Sequence, residues 1–147
     1  MKKTRNSRQR DAVLNAVRAS GDHPTAETIY ARLREACPGI SLGTVYRNLA
    51  LLSDGGEIRR VGVPGGSGRF DHTTATHAHF YCRMCQTVTD IGDDVAADIE
   101  DRVEEATGHD IENLEMLFTG VCADCLRQLP PGRAKVAAIP RPALKND

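Results

Sequence analysis

Two short repeats of one spacing, Cys82-Arg-Met-Cys85 and Cys122-Ala-Asp-Cys125, constrain this chain more than any other feature. Four thiolates supplied as two such knuckles make a closed, tetrahedral zinc site. The pairs are 36 residues apart, so the chain between them must fold back to bring them together. The competing reading is two separate redox pairs, but two CxxC pairs within 44 residues favour structural zinc. A metal staple also suits a chain with no Trp and few aromatics, which cannot build a large aromatic core. No apolar run reaches the ~18 residues of a membrane span, and no signal-peptide core follows Met1. The expectation is a cytoplasmic protein without a membrane partner, in which disulfides are not the usual fate of cysteine. The fifth cysteine, Cys37, falls on an apolar helical stripe and reads as a small core residue.

The first pair is embedded in "HAHFYCRMC", residues 77–85, and the two histidines there need a use of their own. Alternate residues on a strand share a face, so His77 and His79 point together, while Cys82 is at odd separation from His79. Two sites are therefore predicted, back to back. Asp71, His72, Asp90 and the distant His23 are candidates to complete the second. Imidazole plus carboxylate suits Fe(II), Mn(II) or Zn(II) rather than Cu(I). Two histidines and a carboxylate are also the facial triad of non-haem iron oxygenases, but no cosubstrate motif accompanies them, and an enzyme is not expected.

The net charge of −1 conceals an asymmetry. Residues 1–72 carry 12 basic and 7 acidic side chains, residues 73–129 carry 3 and 12, and residues 130–147 carry 4 and 1. A basic front half joined to an acidic middle predicts two domains with different partners, 1–72 and 73–129. The Pro-rich segment 130–147 has no sustained periodicity and is expected to be disordered.

Within the front half, "RQRDAVLNAVRAS" places Val13, Leu14 and Val17 on one helical face. Thr25 caps a second predicted helix, "AETIYARLREA", and Ser41 a third, "LGTVYRNLALLSD", whose apolar stripe is Leu42, Val45, Leu49 and Leu52. Two β-like runs, "EIRRVGV" and "GRFDH", flank the turn-rich "PGGS". Three helices and a hairpin are the order of a winged helix-turn-helix, with the third helix in the major groove. Thr44, Tyr46, Arg47 and Asn48 lie off the predicted stripe and are the candidate DNA contacts, Arg suiting guanine and Asn adenine. Beyond residue 76, strands "HAHFYC" and "TVTDI", an acidic helix "DDVAADIEDRVEEAT" and a strand within "IENLEMLFTGVC" make a small α+β unit.

"HPTAETIY", "SLGTVYRNL", "GRFDH", "HAHFYC", "CRMC" and "GVCADC" stand in the order found in the ferric uptake regulator family, which this chain resembles from about Arg5 to Cys125. The resemblance implies an α+β protein: an N-terminal winged helix-turn-helix domain followed by a small dimerisation domain with structural Zn(2+) at Cys82, Cys85, Cys122 and Cys125. It implies a homodimeric repressor that binds an inverted-repeat operator in double-stranded DNA. By position, His23, Asp71, His77, His79 and Asp90 correspond to the regulatory Fe(2+) or Mn(2+) site of the peroxide-responsive branch. Iron sensors typically carry Glu where Asp71 and Asp90 stand, and zinc sensors a Cys in place of Asp71. The branch further implies that His77 and His23 are the residues oxidised by peroxide when Fe(II) is bound. The alternative within the family is an iron, manganese or zinc uptake regulator without peroxide sensing. Three features depart from the family pattern, one of them the basic, Pro-rich extension after Cys125. Ala78 and Leu114 stand where an additional site of many relatives needs ligands, and the family's first helix is expected to be missing or much shortened.

Overall fold

The computed structural model describes residues 5–130 apart from Ala96; the segment 131–147, and with it most of the tail expected to be disordered, lies outside the described residues. Three helices open the chain: α1 (Arg5–Arg18), α2 (Ala26–Leu33) and α3 (Leu42–Asp54). Thr25 and Ser41 cap α2 and α3 as their residue types predict, each side-chain oxygen accepting the backbone N–H three residues on. Their apolar stripes meet in one core of Val13, Val17, Ile29, Val45, Leu49 and Leu52, all essentially inaccessible to solvent. Cys37 packs half-buried against the edge of this core, but from the bend after α2 and not from the helical stripe that its spacing predicted. Helix α2 stops at Leu33, short of the predicted Ala36, and the chain leaves through a turn before Pro38.

The wing is a two-stranded antiparallel hairpin, β1 (Arg59–Val61) and β2 (Arg69–Asp71), with Arg59 opposite Asp71. It is shared between two cores. Phe70 packs into the helical core, whereas Val61 joins Tyr81 and Val88 in a second cluster beside Leu117. That second cluster lies on a three-stranded sheet, β3 (Ala78–Cys82), β4 (Val88–Ile91) and β5 (Met116–Gly120), in the order β4-β3-β5. Strands β3 and β4 pair antiparallel and β3 and β5 parallel, so the central strand is the one carrying His79 and Cys82. The parallel pairing needs a crossover, which the segment between β4 and β5 provides.

That crossover differs from the single acidic helix expected. It is a short 3₁₀ turn at Asp93–Val95 and a separate helix, α4 (Ile99–Thr107). Asp98 between them has φ of +64°, a left-handed conformation that no right-handed helix can contain, so the run breaks there. A last helix, α5 (Ala123–Gln128), follows the second cysteine pair and was not foreseen from periodicity; six residues are too short to show one.

Candidate metal centres

The cysteine cluster forms where β3 runs out and β5 ends. Cys82 is the last residue of β3, Cys85 lies in the tight turn that follows, and Cys122 caps α5, which carries Cys125. Parallel pairing of Cys82 with Gly120 brings the two knuckles side by side. The Cys82–Cys125 and Cys85–Cys122 Sγ distances are 3.9 and 3.8 Å, and all four sulfurs lie within 4.8 Å of one another. Zn–S bonds of ~2.3 Å arranged tetrahedrally set sulfurs ~3.8 Å apart, so the cage has the size zinc requires.

Its protonation chemistry agrees. Burial alone would push the Cys82 thiol up. Backbone N–H groups of Cys85, Cys122 and Met84 outweigh burial and bring it down to about 6. The Cys122 amide is 3.3 Å from that sulfur. Cys125 is instead pushed up to about 12, first by Cys122, then by burial and the other two sulfurs. Cys85 is lowered as well, first by Thr87, so the first knuckle forms thiolate readily while Cys125 resists joining it. Four can coexist only around a cation.

The second cluster gathers residues from four elements. His23 sits in the loop before α2, where Phe70 N–H donates to the Pro24 carbonyl (3.1 Å) and so ties this loop to β2. Asp71 ends β2, His77 leads into β3, and His79 pairs across the ladder with Asp90 of β4. His23 adopts φ of +49°, rare for a residue with a side chain and of the kind that persists where surrounding structure demands it.

One oxygen from each aspartate faces all three imidazoles. Asp71 Oδ2 is 3.5, 3.0 and 3.2 Å from Nε2 of His23, His77 and His79, and Asp90 Oδ1 is 2.8, 3.0 and 3.4 Å from the same atoms. A divalent ion with bonds of ~2.1 Å places neighbouring ligands at right angles ~3.0 Å apart, which matches this set. His77 is oriented from behind: its Nδ1–H donates to the Ala75 carbonyl (2.9 Å), so in the neutral ring Nε2 presents a lone pair to two carboxylates. His23 Nε2, buried and close to Asp90, is not aligned in a hydrogen bond with it. Lone pairs converging on one point repel unless a proton or metal cation stands among them. Accordingly, the Asp71 carboxylate, opposed by burial, raises the His23 imidazole above its ordinary value. Burial would push Asp71 up, yet His23, His79 and the Thr73 amide outweigh it and hold the carboxyl well below the usual range.

Of the sequence candidates, His72 stays outside this set, its Nδ1 3.7 Å from the other Asp71 oxygen. On α3, Tyr46 and Arg47 are exposed, and the Arg47 guanidinium donates to Thr44 Oγ1 (3.0 Å). Asn48 corrects the sequence reading. It is buried, and its amide donates to the Thr44 carbonyl (2.9 Å), because position 48 lies three residues from Val45 and four from Leu52, on the edge of the core-facing stripe. Sequence reasoning also missed Glu27, whose carboxylate accepts from the Tyr46 hydroxyl (2.5 Å), and two of the three wing arginines, Arg59 and Arg69. Arg59 donates to the Leu114 and Ala75 carbonyls at 3.0 and 3.4 Å, and Arg69 to the Gln86 carbonyl at 2.7 Å. Nothing local marks these, since the partners of Arg59 and Arg69 are 16 to 55 residues away.

A winged-helix unit joined to a small sheet, with one thiolate cage and one imidazole–carboxylate cluster bridging the two, defines a metal-responsive DNA-binding regulator. The chain belongs to the ferric uptake regulator family, whose model matches residues 1–119. It is 33% identical to the peroxide-responsive repressor PerR of Staphylococcus saprophyticus over 117 residues, 80% of this chain and 79% of that protein. The Campylobacter jejuni peroxide stress regulator superposes with a TM-score of 0.71 at 25% identity, covering 82% of this chain and 90% of that one. The Vibrio cholerae ferric uptake regulator superposes at 0.68 with 27% identity, covering 83% and 92%. Family members are transcriptional regulators rather than enzymes, and they bind DNA as homodimers. No helix among the described residues is long and apolar enough to cross a membrane.

Proposed function

We propose that this chain is a cytoplasmic, homodimeric repressor that senses peroxide. Cys82, Cys85, Cys122 and Cys125 would hold a structural zinc, and His23, Asp71, His77, His79 and Asp90 a regulatory Fe(II) or Mn(II). The carrying observation is the convergence of three imidazoles and two short carboxylates, with no thiolate among them, on one point between wing and sheet. This donor set suits Fe(II) or Mn(II), and the resemblance to peroxide-responsive repressors favours the same branch.

His23 and Asp71 belong to the DNA-binding side and His77, His79 and Asp90 to the sheet, so filling the site ties the two together. In a dimer, that fixes the spacing of two recognition helices, which must sit about one helical turn apart on an inverted repeat. Metal and operator then raise each other's affinity. Thr44, Tyr46 and Arg47 are the surface contacts of α3 in this reading; Asn48 supports the helix from inside. Fe(II) held there would supply the electrons that split the peroxide O–O bond; per peroxide, one oxygen atom would enter a ring C–H of His77 or His23, the other would leave as water, and the oxygenated imidazole would lose its grip as a ligand.

The test is operator binding by zinc-loaded protein supplied with Fe(II) or Mn(II), before and after brief peroxide, with peptide mass spectrometry of residues 23 and 77. The Fe(II) form should lose DNA binding and gain one oxygen at these histidines, while the Mn(II) form should keep both unchanged. Unmodified histidines with DNA binding retained would leave a plain metal-uptake regulator.

A further inference from the structure

Besides the apolar packing of Val61, the wing is hydrogen-bonded to the sheet unit by two side chains that the metal clusters do not include. Arg59, on β1, sends one guanidinium nitrogen to the Leu114 carbonyl and the other toward Ala75, at 3.0 and 3.4 Å. The Ala75 carbonyl is the same acceptor that takes the Nδ1–H of His77. A carbonyl oxygen has two lone pairs and can serve both donors. Arg59 also stands opposite Asp71 in the hairpin register. One guanidinium thus contacts the carbonyl that orients His77, on a strand paired with the one bearing Asp71.

We infer that Arg59 is a positioning residue of the His/Asp site: by holding the Ala75 carbonyl against the wing, it fixes the His77 ring and couples the state of that site to the wing. The inference rests on the metal-site reading proposed above. Outer partners of a ligating histidine fix its tautomer and ring direction, and their loss typically weakens metal binding. Arg69 anchors the other end of the hairpin to Gln86, just beyond the first cysteine pair, so removing Arg59 alone leaves the wing attached.

The experiment compares wild type with Arg59→Met, Arg59→Lys and Asp90→Ala, titrating zinc-loaded protein with Co(II) and following its d–d absorption. Arg59→Met should bind Co(II) about 10-fold more weakly, the low end of outer-shell effects, with an altered band shape. Arg59→Lys, which keeps one donor group, should recover part of the affinity. Zinc content should not change. Operator binding at saturating Co(II) should weaken in Arg59→Met while keeping the wild-type salt slope, because the side chain faces carbonyls rather than phosphates. Wild-type affinity and spectrum in Arg59→Met would overturn the inference alone, as would a salt slope reduced by about one with Co(II) binding intact. A wild type with no Co(II) site sensitive to Asp90→Ala would remove the metal-site reading and this inference with it.

Discussion

The two aspartates of the His/Asp cluster should behave differently when removed, although both present one oxygen to the same three imidazoles. The Asp71 side chain is 2% exposed and the Asp90 side chain 53%. Asp71 also accepts the Thr73 amide through its other oxygen at 2.8 Å. In Asp71→Ala the Thr73 N–H loses a charged acceptor, an interaction of about 1.5–3 kcal/mol, and His23 loses the carboxylate that raises it. The metal-free, zinc-loaded protein should therefore lose about 3 kcal/mol of stability, within the range for breaking a buried pair. In Asp90→Ala the lost carboxylate is solvated, and the change should stay under about 1 kcal/mol. Binding of Mn(II) should fall at least about 100-fold in both, equivalent to about 2.7 kcal/mol, because each loses a ligand. Urea unfolding of the Mn-free proteins reads the first effect and isothermal titration with Mn(II) the second. Equal stabilities for the two variants would refute the burial reasoning. Wild-type Mn(II) affinity in Asp90→Ala would remove this residue from the site.

Three further outcomes follow from the same geometry. Cys125→Ser should release the zinc and loosen the sheet, whereas wild type should retain zinc through mild chelation; a persistent fold with four freely reactive thiols in the wild type would contradict this. Arg47→Ala should weaken operator binding by about 1–3 kcal/mol and relax specificity at one base position, measured by gel shift against operator variants. Because the folded state raises the His23 imidazole, the stabilisation it gives the metal-free protein is complete below the ordinary value of 6.5 and disappears as pH climbs through the raised one. Metal binding runs the other way and tightens over that same interval, since the proton must leave. His23→Ala should flatten both profiles in thermal unfolding and Mn(II) titration.

What local chemistry specifies was legible in the chain. Thr25 and Ser41 announce helix starts because a short hydroxyl side chain bonds its own backbone three residues on, and both do so. The paired cysteines predicted a four-sulfur cage, and the alternation of His77, His79 and Cys82 predicted two clusters rather than one, because strand geometry repeats every two residues. Tertiary structure decided the rest. Periodicity says which face of α3 is apolar but not how far the core reaches around it, so Asn48 turned inward. That His23 meets Asp71 depends on a loop–strand hydrogen bond between Pro24 and Phe70, and that Arg59 meets Ala75 and Leu114 depends on how the wing lies against the sheet. Such contacts join residues far apart in sequence whose local patterns carry no trace of one another. They form only when hydrophobic burial has already set the packing, and that packing is a property of the whole chain.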